Sequence, residues 1–251
     1  MNHEKSKTVN LDGFKQRKVA LSIINKQFLS DIIWQCFTDG ICIVPIDPKM
    51  DEEKRDGIIN YARCSALIND EELRPVSGGD KCDPDDRIII FTSGSTGDPK
   101  GVVLTRQALS ANAESLNDIH GFSSEGCSHI TPLPLFHVNA MCMSVIACKL
   151  NGCRTHYIQN FVASEFFENI RKSGARTASI VPALLHDVGH PPFSHLLETD
   201  KVFANFHSHE DWGRMMLESE DTEIGIAIRE VLGESRTGRL FALYSGKSEY
   251  D

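Results

Sequence analysis

The stretch Arg87-Ile-Ile-Ile-Phe91-Thr92-Ser93-Gly94-Ser95-Thr96-Gly97-Asp98-Pro99-Lys100-Gly101, followed by Val102-Val103-Leu104, constrains the fold of this chain more than any other. A continuous apolar run such as Arg87 to Phe91 reads as a strand buried on both faces. It ends directly in glycines and hydroxyls, so the end of a buried strand must reach the surface, turn, and return as a second apolar segment. Gly94 and Gly97 allow positive φ and a close approach of backbone to a ligand, Thr92, Ser93, Ser95 and Thr96 supply hydroxyl donors, and Lys100 supplies a mobile positive charge. Polyphosphate is the natural guest of such a turn. The pattern differs from G-x-x-x-x-G-K-[ST], because Lys100 lies three residues after Gly97 with Pro99 between them.

The residues before this turn alternate between strand and helix signals. Val19 to Ile23 is a short apolar strand, Lys26 to Phe37 is helical, and Ile41 to Ile46 is a continuous apolar run. Asp51 opens a helix reaching about Cys64, with Asp51 and Glu52 where the helix dipole favours negative charge. Ser65 to Ile68 is another strand. The stretch from Asp70 to Asp86, rich in Pro, Gly and acidic residues, has no periodicity and reads as a surface loop. Strands alternating with helices imply an α/β fold with a mostly parallel sheet.

Composition bounds the function classes. The 251 residues are 41% hydrophobic and 24% charged, enough for one large domain or two small ones. No apolar run approaches the ~20 residues of a membrane helix, and Met1 to Lys18 is too polar for a signal peptide, so a cytoplasmic location is expected. A net charge of -9 gives no nucleic-acid signal, since coating phosphates needs Lys and Arg in excess. The eight cysteines contain no C-x-x-C pair and several sit in apolar runs, so they read as reduced core residues rather than a disulfide frame. All eight precede residue 154, whereas six of the ten histidines follow it. That shift fits a seam in the chain.

The glycine-rich turn resembles the phosphate loop T-S-G-S-T-G-x-P-K-G of the adenylate-forming (AMP-binding) superfamily, of acyl-CoA synthetase type. The resemblance spans roughly residues 19 to 185. It includes Asp39-Gly40-Ile-Cys-Ile-Val-Pro-Ile-Asp-Pro48, Leu133-Pro134-Leu135-Phe136-His137 and Val181-Pro182-Ala183-Leu184-Leu185. It implies that Thr92, Ser93, Gly94, Ser95, Thr96, Gly97 and Lys100 hold the phosphates of ATP with Mg2+, and that His137 lies near an acyl or thiol channel. The alternative for His137 is a packed histidine at a helix start. The implied activity is ATP-dependent, AMP-forming carboxylate activation, with nucleotide, an acyl substrate and CoA as partners.

The superfamily's adenine-binding Y-G-x-T-E segment, ribose-binding aspartate, hinge and C-terminal lysine have no counterpart in the last 66 residues. Acyl adenylation needs preorganised cations where negative charge develops, and loss of one such group commonly costs about 100-fold.

Those last residues carry a different pattern. Leu184-Leu185-His186-Asp187-Val188-Gly189-His190-Pro-Pro-Phe-Ser-His195-Leu-Leu-Glu198, with His209-Glu210 downstream, is similar to HD-domain metal-dependent phosphohydrolases that act on deoxynucleoside triphosphates. The resemblance implies that His186 and Asp187 are metal ligands and that His190, His195, His209 and Glu210 contact phosphate or move protons. Imidazole and carboxylate suit a divalent transition metal such as Mn, Fe or Ni, which acidifies bound water. Ser245-Gly246-Lys247-Ser248-Glu249-Tyr250-Asp251 is a distant echo of S-G-x-x-D-x-D and would make Asp251 a third ligand. His156, within Arg154-Thr155-His156, is either an echo of the family's first histidine or a strand residue. Glu218 to Leu232 reads as an amphipathic helix.

The expected organisation is therefore a mosaic: a polar segment at 1–18, a truncated α/β adenylate-forming portion at 19–182, and a small truncated all-α HD-like portion at 183–251. A catalytically silent nucleotide-binding fusion product is a third alternative. With the several charge-stabilising groups missing together, this 251-residue chain is expected not to exchange pyrophosphate into ATP with any carboxylic acid. Carboxylate-dependent exchange above that of a Lys100→Ala control would overturn the expectation.

Overall fold

The apolar runs become the strands β1 (Lys18–Ser22), β2 (Cys42–Pro45), β3 (Ala66–Asn69), β4 (Leu73–Pro75), β5 (Asp86–Thr92) and β6 (Lys100–Thr105) of one sheet, ordered β4-β3-β1-β2-β5-β6. The computed structural model describes residues 9–92 and 100–180, with Ser219, Ile226 and Arg229. The chain divides into two compact units, Met1–Gln159 and Asn160–Asp251. The seam expected at 182/183 lies outside the described residues.

Strands β3, β1, β2 and β5 run parallel, and antiparallel β4 and β6 close the two edges. The chain steps one way from β1 through α1 (Lys26–Asp39) to β2, then back past β1 through α2 (Glu52–Ala62) to β3. Right-handed crossovers in opposite directions must lay the two helices on opposite faces. The core divides accordingly. Val19, Leu21, Ile43 and Ile68 pack with Leu29, Ile32 and Ile33 of α1, while Ala20, Cys42, Val44 and Leu67 pack with Ile59 and Ala62 of α2. The period-2 alternation of the strands thus serves both layers.

Local chemistry sets the helix ends. Asn25 accepts from the Phe28 amide (2.9 Å) to start α1, and Gly40, at φ 74°, closes it with its N–H on the Cys36 carbonyl. Asp51 caps α2 through the Lys54 amide (2.9 Å). Arg87, only 5% exposed, then ties the C-terminal end of α1 to β5: its Nε donates to the Phe37 carbonyl (3.0 Å) and its Nη1 to those of Pro84 and Asp86 (2.8 Å each).

Two expectations are corrected. The stretch from Asp70 to Asp86 is not all loop: Asn69 Oδ1 accepts from the amides of Glu71 and Glu72 (2.8 Å each), folding the chain back so that β4 pairs with β3. A three-residue edge strand ending in Pro75 is too short to show periodicity. The cysteines are not all free either. Cys127 and Cys153 form a disulfide at the start of a second parallel pair, β7 (Ser128–Thr131) and β8 (Arg154–Tyr157), while Cys36, Cys42, Cys64, Cys82, Cys142 and Cys148 are free thiols. They lie 26 residues apart in sequence, a separation that carries no pairing signal.

Helix α3 (Arg106–His120) precedes β7, and between β7 and β8 run α4 (Val138–Met141), a π-helical stretch Cys142–Ala147, and α5 (Cys148–Leu150). The wider π turn sits against a buried polar network. The Ser144 carbonyl accepts from Thr155 Oγ1 (2.9 Å) and Tyr157 OH (3.1 Å), Tyr157 OH meets Ser30 Oγ (2.6 Å), and Ser144 Oγ meets His129 Nε2 (3.1 Å). The second unit contains α6 (Ala163–Ser173), ended by Gly174 at φ 63°, and the short strand β9 (Thr177–Ala178). Within the expected helix of 218–232, Ile226 and Arg229 are helical and Ser219 is not, and Arg229 Nη1 donates to the Ser219 carbonyl (3.0 Å). No helix among the described residues is long and apolar enough to cross a membrane.

His129 is fully buried, and burial, with His120 adding repulsion, lowers its pKa from 6.5 to about 4. Between those values the unfolded chain binds more protons than the folded one, so stability is present above pH 6.5 and is lost as pH falls towards 4. The loss attributable to His129 is on the order of 3 kcal/mol. Urea unfolding at pH 7 and pH 4.5 should show a smaller drop in His129→Gln than in wild type; equal drops would refute the assignment.

Candidate functional site: the β5–β6 hairpin

The expected turn is carried by a well-anchored hairpin. The ladder runs from Asp86↔Thr105 to Thr92↔Lys100, with a register shift between Asp86 and Ile88. At its base the Arg106 amide donates to the Asp85 carbonyl (2.8 Å), Thr105 Oγ1 caps α3 through the Ala108 amide (3.2 Å), and the Arg106 guanidinium lies 5.9 Å from the centre of the Phe37 ring. Arg87 fixes the other strand. The tip is therefore presented by strands held through their backbone ladder and, in β5, by the buried Arg87, Ile88 and Ile89.

Thr92 and Lys100 face each other in register at the tip, and Lys100 is exposed. Ser93, Gly94, Ser95, Thr96 and Gly97 lie outside the described residues. Gly101, the last glycine of the motif, has a packing reason: a Cβ there would stand 3.0 Å from Ile89 Cγ2 and 3.2 Å from Phe91 Cζ. Phe91 in turn meets Tyr61 edge-on, with ring centres 5.8 Å apart. The arrangement offers an exposed ammonium at the mouth of a glycine- and hydroxyl-rich turn, which suits anionic phosphate oxygens.

His137 is exposed and precedes α4 as its N-cap, without a side-chain capping bond. Of its two readings, the helix start holds but the packing does not: its ring touches Phe136, with centres 4.4 Å apart, and otherwise faces outward. The loop before it is pinned. The Lys26 ammonium, 9% exposed, donates to the carbonyls of Pro132 (2.6 Å) and Ile158 (2.5 Å), the Leu133 amide donates to Thr131 Oγ1 (3.2 Å), and Leu135 is buried. Burial lowers the Lys26 pKa.

His156 lies in β8, in agreement with the strand alternative. Its Nε2 is buried with no hydrogen-bond partner among the described residues, and burial followed by the nearby Arg154 charge lowers its pKa. No group of three or more His, Cys, Asp or Glu among the described residues could hold a metal. His186, Asp187, His190, His195, His209, Glu210 and Asp251 lie outside the described residues.

Sequence reasoning missed Lys26 and Arg87, the buried cations that position these loops. One signal existed for Lys26: a lysine at the first residue of a helix opposes the dipole, and such a placement calls for a specific partner.

The hairpin has clear relatives. A family described as AMP-binding enzyme matches residues 70–217, a span containing the hairpin and the histidine-rich string. The chain is 31% identical over 98 residues to a sulfoacetate–CoA ligase of Cupriavidus necator, covering 39% of this chain and 19% of the ligase. It is 26% identical over 179 residues to 4-coumarate–CoA ligase 1 of Oryza sativa subsp. japonica, covering 66% of this chain and 30% of the ligase. The chain thus spans between a fifth and a third of the length of these curated relatives. Among solved structures, O-succinylbenzoate coenzyme A synthetase from Bacillus subtilis, in complex with ATP and magnesium ion, shares the fold with a TM-score of 0.59 at 20% identity, covering 70% of this chain and 53% of that one. The N-terminal domain of FACL13 from Mycobacterium tuberculosis shares it with a TM-score of 0.58 at 22% identity, covering 71% and 53%. With the family pattern running over more than half of its residues, and with the motif-bearing hairpin inside that span, this chain belongs to the AMP-binding enzyme family.

Proposed function

We propose that this chain provides the phosphate-gripping part of an ATP-dependent, AMP-forming carboxylate-activating site of the acyl-CoA synthetase type. In such a reaction a carboxylate oxygen bonds to the α-phosphorus of ATP and pyrophosphate leaves. CoA then displaces AMP from the acyl group. The single observation that carries this reading is the hairpin register that brings Thr92 opposite an exposed Lys100 at the mouth of the glycine-rich turn. Thr92 to Lys100 would hold the triphosphate, Mg2+ would neutralise part of its charge, and the exposed His137 would border the acyl or thiol path. The names of the relatives, ligases that join CoA to sulfoacetate or 4-coumarate, support an acyl substrate bearing a carboxylate.

Lys100→Ala removes the one lysine of the turn. A charge-assisted contact contributes about 1.5–3 kcal/mol, so ATP–Mg2+ affinity measured by calorimetry should fall roughly 10- to 100-fold. Equal affinity in wild type and variant would exclude this residue from phosphate binding.

The string from His186 to His195 favours a second reading, metal-dependent hydrolysis of a nucleoside triphosphate. His186, Asp187 and Asp251 would hold Mn, Fe or Ni, while His190, His195, His209 and Glu210 would contact phosphate and move protons. Without the resembled family's first histidine the metal should bind weakly, since loss of a ligand or its supporting shell weakens affinity by ~10- to 100-fold. Triphosphate release that requires manganese and is abolished by Asp187→Ala would put this reading first. No manganese-dependent release at any metal concentration would remove it.

A further inference from the structure

Two of the eight cysteines form the disulfide between Cys127 and Cys153, and the other six are free thiols. Domains that depend on disulfides for stability are dense in them, whereas a lone bond among free thiols fits a transient or redox-sensing role. Its place in the fold points the same way. Cys127 and Cys153, with Cα atoms 4.9 Å apart, immediately precede Ser128 and Arg154, which are the first residues of β7 and β8 and partners in the parallel register. Both are buried, at 5% exposure, yet each follows an exposed glycine of a turn, Gly126 and Gly152. The bond therefore lies one residue beneath the surface on both chains. We propose that the Cys127–Cys153 disulfide is a reversible redox latch on the start of the β7–β8 pair, opened by a dithiol reductant.

The two ends of the pair are held by different chemistry. At the far end the Ile158 amide donates to the Thr131 carbonyl (2.9 Å), and the Lys26 ammonium joins the carbonyls of Pro132 and Ile158, bonds that a thiol reductant leaves intact. At the near end the disulfide is accompanied by the Arg154 amide on the Cys127 carbonyl (3.2 Å). Beneath it lies a small apolar cluster, in which Ala113 of α3, Phe122, Ala147 and the free Cys148 pack with the two bonded cysteines. Breaking the bond frees the turns at 121–127 and 151–153 and loosens this cluster. The Lys26 clamp keeps the far end, and with it the loop leading to His137, in place. The opening is thus local.

Opening is a two-electron reduction. One thiolate of the dithiol attacks a sulfur of the bond, and the other cysteine leaves as a thiolate and takes a proton. The second thiol of the reductant then displaces the attacked cysteine as it closes its own disulfide. One protein disulfide and one dithiol give two protein thiols and one oxidised dithiol. Oxidised glutathione runs the exchange backwards, taking the two protein thiols to a disulfide and releasing two glutathione thiols.

The test uses the full chain, with dithiothreitol as the reductant. Peptide mass spectrometry of the protein oxidised with glutathione disulfide should find Cys127 linked to Cys153. After reduction and desalting, iodoacetamide should label Cys148 at least about tenfold faster than in the oxidised protein, since losing a cross-link raises the population of the locally opened state by that much or more. Cys36, fully buried in the separate cluster around α1, should keep its labelling rate. Reoxidation should restore both the link and the protection of Cys148. Unlinked Cys127 and Cys153 in the oxidised protein, or Cys148 labelling that ignores reduction, would overturn the proposal. So would Cys36 becoming reactive in step with Cys148, because the bond would then hold the whole fold and not a local latch. All of these readings come from wild-type protein and depend on no variant folding.

Discussion

The structure hangs on a buried guanidinium. Arg87 is almost wholly withdrawn from water, and what makes that tolerable is that three backbone carbonyls, of Phe37, Pro84 and Asp86, accept its protons. One of them belongs to the last turn of α1, whose unpaired carbonyls attract a cation. The same residue begins the strand that carries the glycine-rich turn, so the end of the first helix and the root of the hairpin are fixed relative to each other. Arg106, the first residue of α3 at the base of the hairpin, lays its own cation over Phe37. Two arginines bracket one phenylalanine, and the hairpin projects from that bracket.

Much of this was legible in the sequence wherever a segment obeys one period from end to end. Lys18–Ser22, Cys42–Pro45 and Ala66–Asn69 are short and apolar because they are covered on both faces, and the helices between them announce themselves through Asn25, Gly40 and Asp51. What stayed hidden depends on partners distant in sequence. The edge strand Leu73–Pro75 exists because Asn69 folds the chain back, the Cys127–Cys153 disulfide because two parallel strands begin side by side, and the buried role of Lys26 because Pro132 and Ile158 arrive from more than a hundred residues away. None of these has a local signature. For the site, the motif is the basis of the proposed phosphate guest and the register fixed where Lys100 stands, but motif letters could not tell whether His137 was packed or open.

The π-helical stretch illustrates how one irregularity is accommodated. Within the π-helical stretch Cys142–Ala147 the Ser144 carbonyl accepts from the Thr155 and Tyr157 hydroxyls of β8. The same serine turns its hydroxyl to His129 of β7. The helix and the parallel pair are thus joined by polar bonds in a region otherwise apolar, and such a network specifies one arrangement because a slipped one would leave buried groups unpaired. The loop carrying His137 runs from the end of β7 into the helix that contains this irregularity, so its placement inherits that specificity.

The two arms of the molecule's chemistry draw on a common physical device. Polar and ionisable side chains appear where strands begin or end and the ladder no longer consumes the backbone: Arg87 at the start of β5, Lys26 just past the end of β1, and Lys100 at the tip of β6. At each place the environment decides what the group becomes. Arg87 and Lys26 are enclosed and spend their protons on carbonyls, which makes them struts. Lys100 is exposed at the mouth of the hairpin. Burial therefore separates the groups that support this fold from those that can act on another molecule.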